Sequence, residues 1–512
     1  MRPRPALPYP SVAFHTLLDR TAERCAEELA VCAEGERYSY RELHALTFAA
    51  AGRLTELGVR AGDRVAVVAG NSVEWLVLVY GLSRLGAAAA LLSPSWRAAE
   101  LAHAVGVVQP RLVIADADVV AELRAAAVPE RQIVVLDDSG GLSANALARR
   151  PGAVLDLAPV DLDSEVILPF SSGTTGLPKA VRHTHRTLVA GVTNWASAAR
   201  INADDHLQVA IPLFHIYGLV VTACALAAGA RVSLFRRFVL DDALEHIGRT
   251  QVTIAFGAAP IAVAMANHPS LESFDLRSLR YFQWAATPIV PTIAEAVSAR
   301  TGIAWMHAYG ATEAPGLFCN PVEDPDLWRL DSPGIALSDT EVRIDTSVAP
   351  ANAEAPVGVE VGELLVRGPH LMVGYLPEEA NAGAFTDDGW YRTGDIGWLD
   401  PEGWLHLTDR AKELIKVSGF SVSPAEVERA LLAHPDVRDC AVYGVPDGKG
   451  SDEVAAAIVS DSADLVAVQA WVNERVAPYK RLRYVRPVDD IPRTASGKVL
   501  RRQLLDDHHH QI

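Results

Sequence analysis

The residues best equipped for chemistry lie in one run, Phe170-Ser-Ser-Gly-Thr-Thr-Gly-Leu-Pro-Lys-Ala180, in which hydroxyl residues and glycines lead up to a lysine. Such a loop suits a polyphosphate. Gly173 and Gly176 let backbone N–H groups approach the oxygens closely, Ser171, Ser172, Thr174 and Thr175 add hydroxyl donors, and Lys179 adds a positive charge. No Gly-Lys-[Ser/Thr] closes a G-x-x-x-x-G-K spacing, so this is not a Walker A loop. A flexible Ser/Gly linker is the bland alternative, and such linkers rarely end in a hydrophobic-Pro-Lys sequence.

Four further segments follow in order: Tyr309-Gly-Ala-Thr-Glu313, Tyr391-Arg-Thr-Gly-Asp395, Asp409-Arg-Ala-Lys-Glu-Leu-Ile-Lys416 and Pro492-Arg-Thr-Ala-Ser-Gly-Lys498. With the first loop they resemble the motif set of the adenylate-forming superfamily of acyl-CoA synthetases, nonribosomal adenylation domains and luciferases. The resemblance covers nearly the whole chain. It implies ATP, a carboxylic acid, Mg²⁺ and CoA as ligands, with an acyl-adenylate formed first and a thioester second.

Carried over motif by motif, the resemblance assigns roles. Adenine and ribose would be met by Ala285, Ala286, Thr287, His307, Ala308, Tyr309, Gly310, Asp395 and Arg410. Asp395 can accept two hydrogen bonds from the ribose diol, and Arg410 would donate to the same sugar from across an interdomain gap. Thr312 would bond the α-phosphate and Glu313 would be the hard oxygen ligand of Mg²⁺. Lys498 would bridge the substrate carboxylate and the α-phosphate, where negative charge builds in the transition state. Lys412 matches the pivot about which family members rotate the C-terminal domain between half-reactions, and Ser418 and Gly419 would then flank the pantetheine arm.

Pro212-Leu-Phe-His-Ile-Tyr-Gly218 is similar to the corresponding segment of 4-coumarate:CoA ligases and fatty-acyl relatives and lacks the aspartate that holds an amino acid's α-amino group. His215 would orient the carboxylate, and Arg236 and Arg237 fall where relatives hold a CoA phosphate. Ala180, the run Ala285-Ala-Thr-Pro288, Ser421 and His307 depart from the coumarate-ligase pattern, so acyl specificity does not transfer. The implied acyl walls, Ile216, Tyr217, Val221, Ala258, Ala286, Ala308 and Pro315, are apolar and mostly small, which favours a bulky monocarboxylate; Trp284 could shorten the pocket. Two rival readings remain: a ligase that loads an acyl carrier protein, and a non-catalytic adenine-nucleotide sensor, which would need neither Lys498 nor Glu313.

The elements that must position these groups follow from the apolar pattern. Runs such as Arg64-Val-Ala-Val-Val-Ala69 and Val252-Thr-Ile-Ala-Phe256 alternate with helix-length segments, the signature of buried, largely parallel sheets. From about Pro333 to Asp409, closely spaced β segments with Gly, Pro and Asp turns predict a small β barrel or distorted sheet. Helix Pro424–Leu432 opens a compact α+β unit. The fold class expected is α/β: residues 1–409 as an N-terminal core of two α/β sheet subdomains plus the small β barrel, and residues 410–512 as a mobile C-terminal domain hinged near 409–412.

Bulk properties narrow the partners. The chain of 512 residues has a net charge of -17, and residues 410–512 hold 15 basic and 15 acidic residues, so all the excess acid lies upstream. That distribution argues against nucleic acid. The tract Trp75–Leu92 is broken by Arg84 and reads as a helix followed by a strand, so no membrane span is expected. Five scattered cysteines indicate neither a disulfide framework nor a zinc site, which fits the cytoplasm. A homodimer is compatible with these properties, and the Ala, Arg and Val richness points to a high-GC bacterium and specialised metabolism.

Overall fold

Buried β-branched runs form two sheets that share one core. The computed structural model describes every residue except 1–3, 151–156, 172–177, 288, 349–354, 357, 411–414, 418–419, 423, 448–451, 461–463, 477, 495–496 and 510–512. A seven-stranded sheet runs in the order Gly374–Leu376, Lys179–Thr184, Glu165–Ser171, Ala88–Leu91, Arg64–Val68, Leu112–Ala115, Ile133–Val135. A nine-stranded sheet has Trp305–Tyr309, Tyr281–Trp284, Ile254–Gly257, His206–Val209 and Arg231–Leu234 as a parallel centre. Helices including Val73–Arg84, His185–Ala198 and Ile216–Ala228 lie between them. Their Trp75, Leu188 and Leu226 share one cluster with Val65 and Ile114 of the first sheet and Val232 and Met306 of the second. Both strand faces are covered, which is why these strands read as continuous apolar runs.

The expected small β barrel is an open four-stranded antiparallel sheet, ordered Glu341–Asp345, Gly362–Arg367, Tyr391–Leu399, Leu405–Arg410. Its end strands do not pair with each other among the described residues. Closure requires strand number, tilt and stagger to agree, and four strands cannot surround a packed interior.

Beyond Arg410 the chain builds its own cores. Helix Pro424–Leu432 packs Val427 and Leu431 against Val442, Val454 and Ile458 of a three-stranded sheet formed by Val437–Pro446, Asp452–Ser460 and Leu482–Pro487. Among the described residues no apolar cluster contains side chains from both sides of 410–415. None of the described helices is long and apolar enough to cross a membrane.

The framework buries His185, His206, His307 and His370, and burial above all pushes each down to about 4. The unfolded chain, whose histidines titrate near 6.5, therefore binds more protons than the folded one between about pH 4 and 6.5. Stability is full above that window and is lost as pH falls through it. The melting temperature should drop clearly between pH 7 and pH 5, each histidine withdrawing on the order of 1–2 kcal/mol by pH 5. A flat melting temperature over that range would refute the linkage.

Candidate active site

The phosphate-type loop is the connection of an antiparallel hairpin in which Ser171 faces Lys179 across the ladder. Ser172, Gly173, Thr174, Thr175 and Gly176 lie outside the described residues. The Lys179 ammonium stands 5.0 Å above the ring centroid of Tyr375, which comes from the edge strand Gly374–Leu376 paired to the hairpin. Tyr375 is the hub of a small network: its hydroxyl donates to Glu313 Oε1 at 2.8 Å and lies 3.1 Å from the Tyr391 hydroxyl. Thus one phenol contacts both the expected phosphate lysine and the expected metal carboxylate.

Glu313 and Thr312 are nearly buried, each 8% exposed, on the loop that leaves strand Trp305–Tyr309. The loop doubles back so tightly that a Cβ on Gly310 would stand 2.7 Å from the Gly316 nitrogen, so only glycine fits. It is pinned from two sides: the Thr312 carbonyl lies 2.8 Å from Nε2 of buried His183, and the Glu313 carbonyl accepts from Met372 N at 2.8 Å. Burial lowers the pKa of His183, which keeps it neutral and able to donate to that carbonyl.

On the ribose side, the Tyr309 hydroxyl donates to Asp395. Arg410 is not across a gap. It is the register partner of Asp395 in the ladder between Tyr391–Leu399 and Leu405–Arg410, so both expected ribose ligands sit side by side on one sheet.

His215 caps helix Ile216–Ala228, its Nδ1 accepting from Tyr217 N at 3.4 Å. Its pKa is pushed down to about 4 by burial first and by the Lys498 cation second. Lys498 is therefore within electrostatic range of His215, and packing brings its loop against the N-terminal domain. A Cβ on Gly497 (φ +86°) would lie 3.4 Å from Pro260 Cδ and 3.6 Å from Ala258 Cβ, so the C-terminal loop rests on the rim of the N-terminal site.

Several of the expected acyl walls lie in the shared core. Ile216, Val221 and Ala308 belong to the shared core, and Tyr217 packs edge-on to Phe256 with ring centroids 6.0 Å apart. Pro315 packs against Gly191 on helix His185–Ala198. Trp284 belongs to the outer cluster with Trp305 and donates to Thr287 Oγ1 at 3.1 Å. Thr287 also accepts from Ala259 N at 2.8 Å, which ties the Ala285–Thr287 turn to the helix after strand Ile254–Gly257. Ala286 has φ +67°, a left-handed conformation that is uncommon for any residue with a Cβ. His307 lies beside the backbone of Leu330 and Ser332, on the strand face that carries Trp305.

Of the expected CoA ligands, Arg236 is paired with Asp116 at 2.8 Å while Arg237 is exposed. Lys412, Ser418 and Gly419 lie outside the described residues.

Sequence reading did not find Tyr375, His183 or Gln283. Gln283 lies between Tyr281 and Ala285 on the interior face, 1% exposed, with its Oε1 lacking a hydrogen-bond partner among the described residues. The Tyr217 hydroxyl donates to its carbonyl at 3.5 Å. The available signals were a histidine in the apolar strand after the phosphate loop and a glutamine within Tyr281-Phe-Gln-Trp284. Tyr375 carried none.

A nucleotide-handling enzyme is what this arrangement of sheets and polar loops defines, and comparison with known proteins gives its family. Residues 18–376 match the profile described as "AMP-binding enzyme" and residues 426–498 that described as "AMP-binding enzyme C-terminal domain", so the chain belongs to the AMP-binding enzyme family. It is similar to 4-coumarate–CoA ligase 2 of Oryza sativa subsp. japonica, 34% identical over 507 residues that cover 93% of this chain and 88% of the relative. 4-Coumarate–CoA ligase 1 of Petroselinum crispum is 33% identical over 489 residues, covering 92% and 89%. Among solved structures, ATP-bound MatB from Rhodopseudomonas palustris superimposes with a TM-score of 0.86 at 28% identity, covering 96% of this chain and 99% of that one. The anthranilate CoA ligase AuaEII in complex with anthranoyl-AMP superimposes at 0.87 and 25% identity, covering 99% and 98%.

Proposed function

We propose that this chain joins a bulky, ring-bearing monocarboxylic acid to CoA, forming an acyl-adenylate and pyrophosphate from ATP and then an acyl-CoA and AMP. That it is an ATP-dependent, AMP-forming acid:CoA ligase follows from its family and its relatives. The observation that supports the residue assignments is that the loop carrying Lys498 rests on Ala258 and Pro260, with the lysine within electrostatic range of His215. A nucleotide sensor would have no use for that arrangement.

In the first half-reaction the acid's carboxylate attacks the α-phosphorus. Lys498 holds the two negative groups together, and Thr312 bonds the α-phosphate. His215, neutral at pH 7 because its pKa is near 4, orients the carboxylate without competing for its charge. Lys179 meets the β- and γ-phosphates. Glu313 fits as a Mg²⁺ ligand: Mg²⁺ usually takes one or two carboxylates together with substrate phosphates, and Glu313 is a buried carboxylate held in place by Tyr375. When bound, Mg²⁺ neutralises charge on the departing pyrophosphate. Removing the Tyr375 hydroxyl (Tyr375→Phe) should raise the KM for Mg·ATP roughly tenfold, as expected for a lost hydrogen bond to a charged group. Acyl transfer from a supplied adenylate should be unchanged, and an unaltered KM for Mg·ATP would count against the role.

The acids in the relatives' names, 4-coumarate and anthranilate, carry rings, and the small apolar walls here suit a ring. The Gln283 Oε1, which has no hydrogen-bond partner among the described residues, adds a polar point to the interior face, so a ring bearing a hydroxyl or amino donor should outperform its unsubstituted analogue. Pyrophosphate release measured over a panel of acids tests this. A substituted ring acid should lead and acetate should trail; acetate in the lead would refute the pocket. Because Arg236 is committed to Asp116, leaving Arg237 for a CoA phosphate, the same panel should compare CoA with a phosphopantetheinyl carrier protein as acceptor. The boundary near residue 409, rotation of the C-terminal domain and a cytoplasmic location, which five free cysteines support, belong to the same proposal.

A further inference from the structure

A side chain of the C-terminal domain grips the loop that carries Lys498. Its backbone closes on itself: Thr494 N donates to the Lys498 carbonyl at 2.8 Å, Lys498 N to Thr494 Oγ1 at 3.1 Å, and Arg493 pairs with Val499 in an antiparallel bridge. Val499 packs this hairpin against the cluster that contains Ala441 and Tyr443, and Arg493 ties it to the domain by hydrogen bonds. One arm of its guanidinium, Nη2, donates to both carboxylate oxygens of Asp439 at 2.7 and 2.9 Å, and the other, Nη1, donates to the Gly497 carbonyl at 3.1 Å.

Asp439 is a rigid anchor because it stands on strand Val437–Pro446, where the next residues, Cys440 and Ala441, are buried. A second clamp lies just past the loop, where Arg501 bonds Glu428 at 2.7 Å and the Val442 carbonyl at 2.9 Å. Arg493 is the clamp that bonds the Gly497 carbonyl, next to the lysine. Gly497 has no side chain of its own with which to hold the loop, and its positive φ marks a turn that other residues resist.

We infer that Arg493 is a positioning residue that fixes the Lys498 ammonium by holding the Gly497 carbonyl against Asp439. The inference rests on the proposed role of Lys498. An electrostatic catalyst must be held in place before the reaction, and displacement by about 1 Å is enough to cost on the order of 10²-fold in rate. Lysine at position 493 could pair with Asp439 or reach the Gly497 carbonyl, but it lacks the planar fork that does both.

The test separates the half-reactions in Arg493→Gln, Arg493→Lys, Asp439→Asn and Lys498→Ala, using ATP–pyrophosphate exchange and acyl transfer to CoA from supplied acyl-adenylate. Arg493→Gln should lower adenylation kcat on the order of 10- to 100-fold, leave the KM for ATP in place and keep acyl transfer within about twofold. Arg493→Lys should recover part of the loss, and Asp439→Asn should lose less in the same direction. Equal loss in both half-reactions would make the pair merely structural and overturn the inference. Unaffected exchange in Arg493→Gln beside a dead Lys498→Ala would overturn it alone, whereas wild-type exchange in Lys498→Ala would remove the functional reading beneath it.

Discussion

Replacing Lys498 by alanine should abolish adenylation, with a loss on the order of 10²-fold or more, while acyl transfer from supplied acyl-adenylate to CoA stays largely intact. The size follows from where charge develops. As the carboxylate attacks the α-phosphorus, two negative groups are forced together, and a fixed ammonium stabilises that arrangement more than it stabilises the separate reactants. The selectivity follows from which domain carries the lysine. Lys498 belongs to the C-terminal unit, whose cores are separate from those upstream, and its loop meets the N-terminal domain where Gly497 approaches Ala258 and Pro260. Rotation of that unit would withdraw it before the thiol attacks. Its effect can also be read without turnover. The Lys498 cation helps to depress the His215 pKa from 6.5 to about 4, so Lys498→Ala should raise the His215 pKa in an NMR titration. Wild-type pyrophosphate exchange in the variant would remove Lys498 from the mechanism.

How much of this was legible beforehand depended on whether the signal was local. Helix Pro424–Leu432 and strand Gly362–Arg367 have the bounds that their apolar spacing predicts, and the tract at 75–92 divides into helix Val73–Arg84 and strand Ala88–Leu91 as its arginine and glycine indicate. The barrel expectation was different. Alternation and turns are the same in an open and a closed sheet, and only the pairing of the first strand with the last separates them, a relation between residues some sixty positions apart. The site divided in the same way. Motif residues such as Glu313 and Asp395 could be named from their neighbours, but Tyr375 could not. Val373-Gly-Tyr-Leu-Pro377 reads as an ordinary edge strand until its pairing with Lys179–Thr184 sets the phenol beside Glu313. Arg410 shows the converse case. It sits at the boundary expected from the motifs, yet ladder pairing keeps it on the N-terminal sheet, opposite Asp395.

Substituting proline at Lys412 should spare adenylation and block thioester formation, and the reason lies in what a pivot has to do. The strand Leu405–Arg410 ends the N-terminal sheet and the strand Ile415–Val417 begins the C-terminal cores, so any rotation between the two units must be taken up by the few residues that join them. Large domain motions of this kind need changes in φ and ψ at a handful of positions. Proline fixes φ near −65° and also restricts the residue before it, which removes two of those freedoms together. In the proposed mechanism adenylation uses the arrangement described, with Lys498 within electrostatic range of His215, so a chain held in it should make and retain acyl-adenylate. Pyrophosphate should then appear as a single burst of about one equivalent per enzyme, with acyl-CoA formation lowered on the order of 10²-fold or more, as when a conformational step is closed off. Acyl transfer from supplied adenylate should fail as well, which separates a locked hinge from slow adenylation. Equal loss of the burst and of transfer would instead mean that proline disturbs the fold at this junction, and unimpaired turnover would move the pivot away from residue 412.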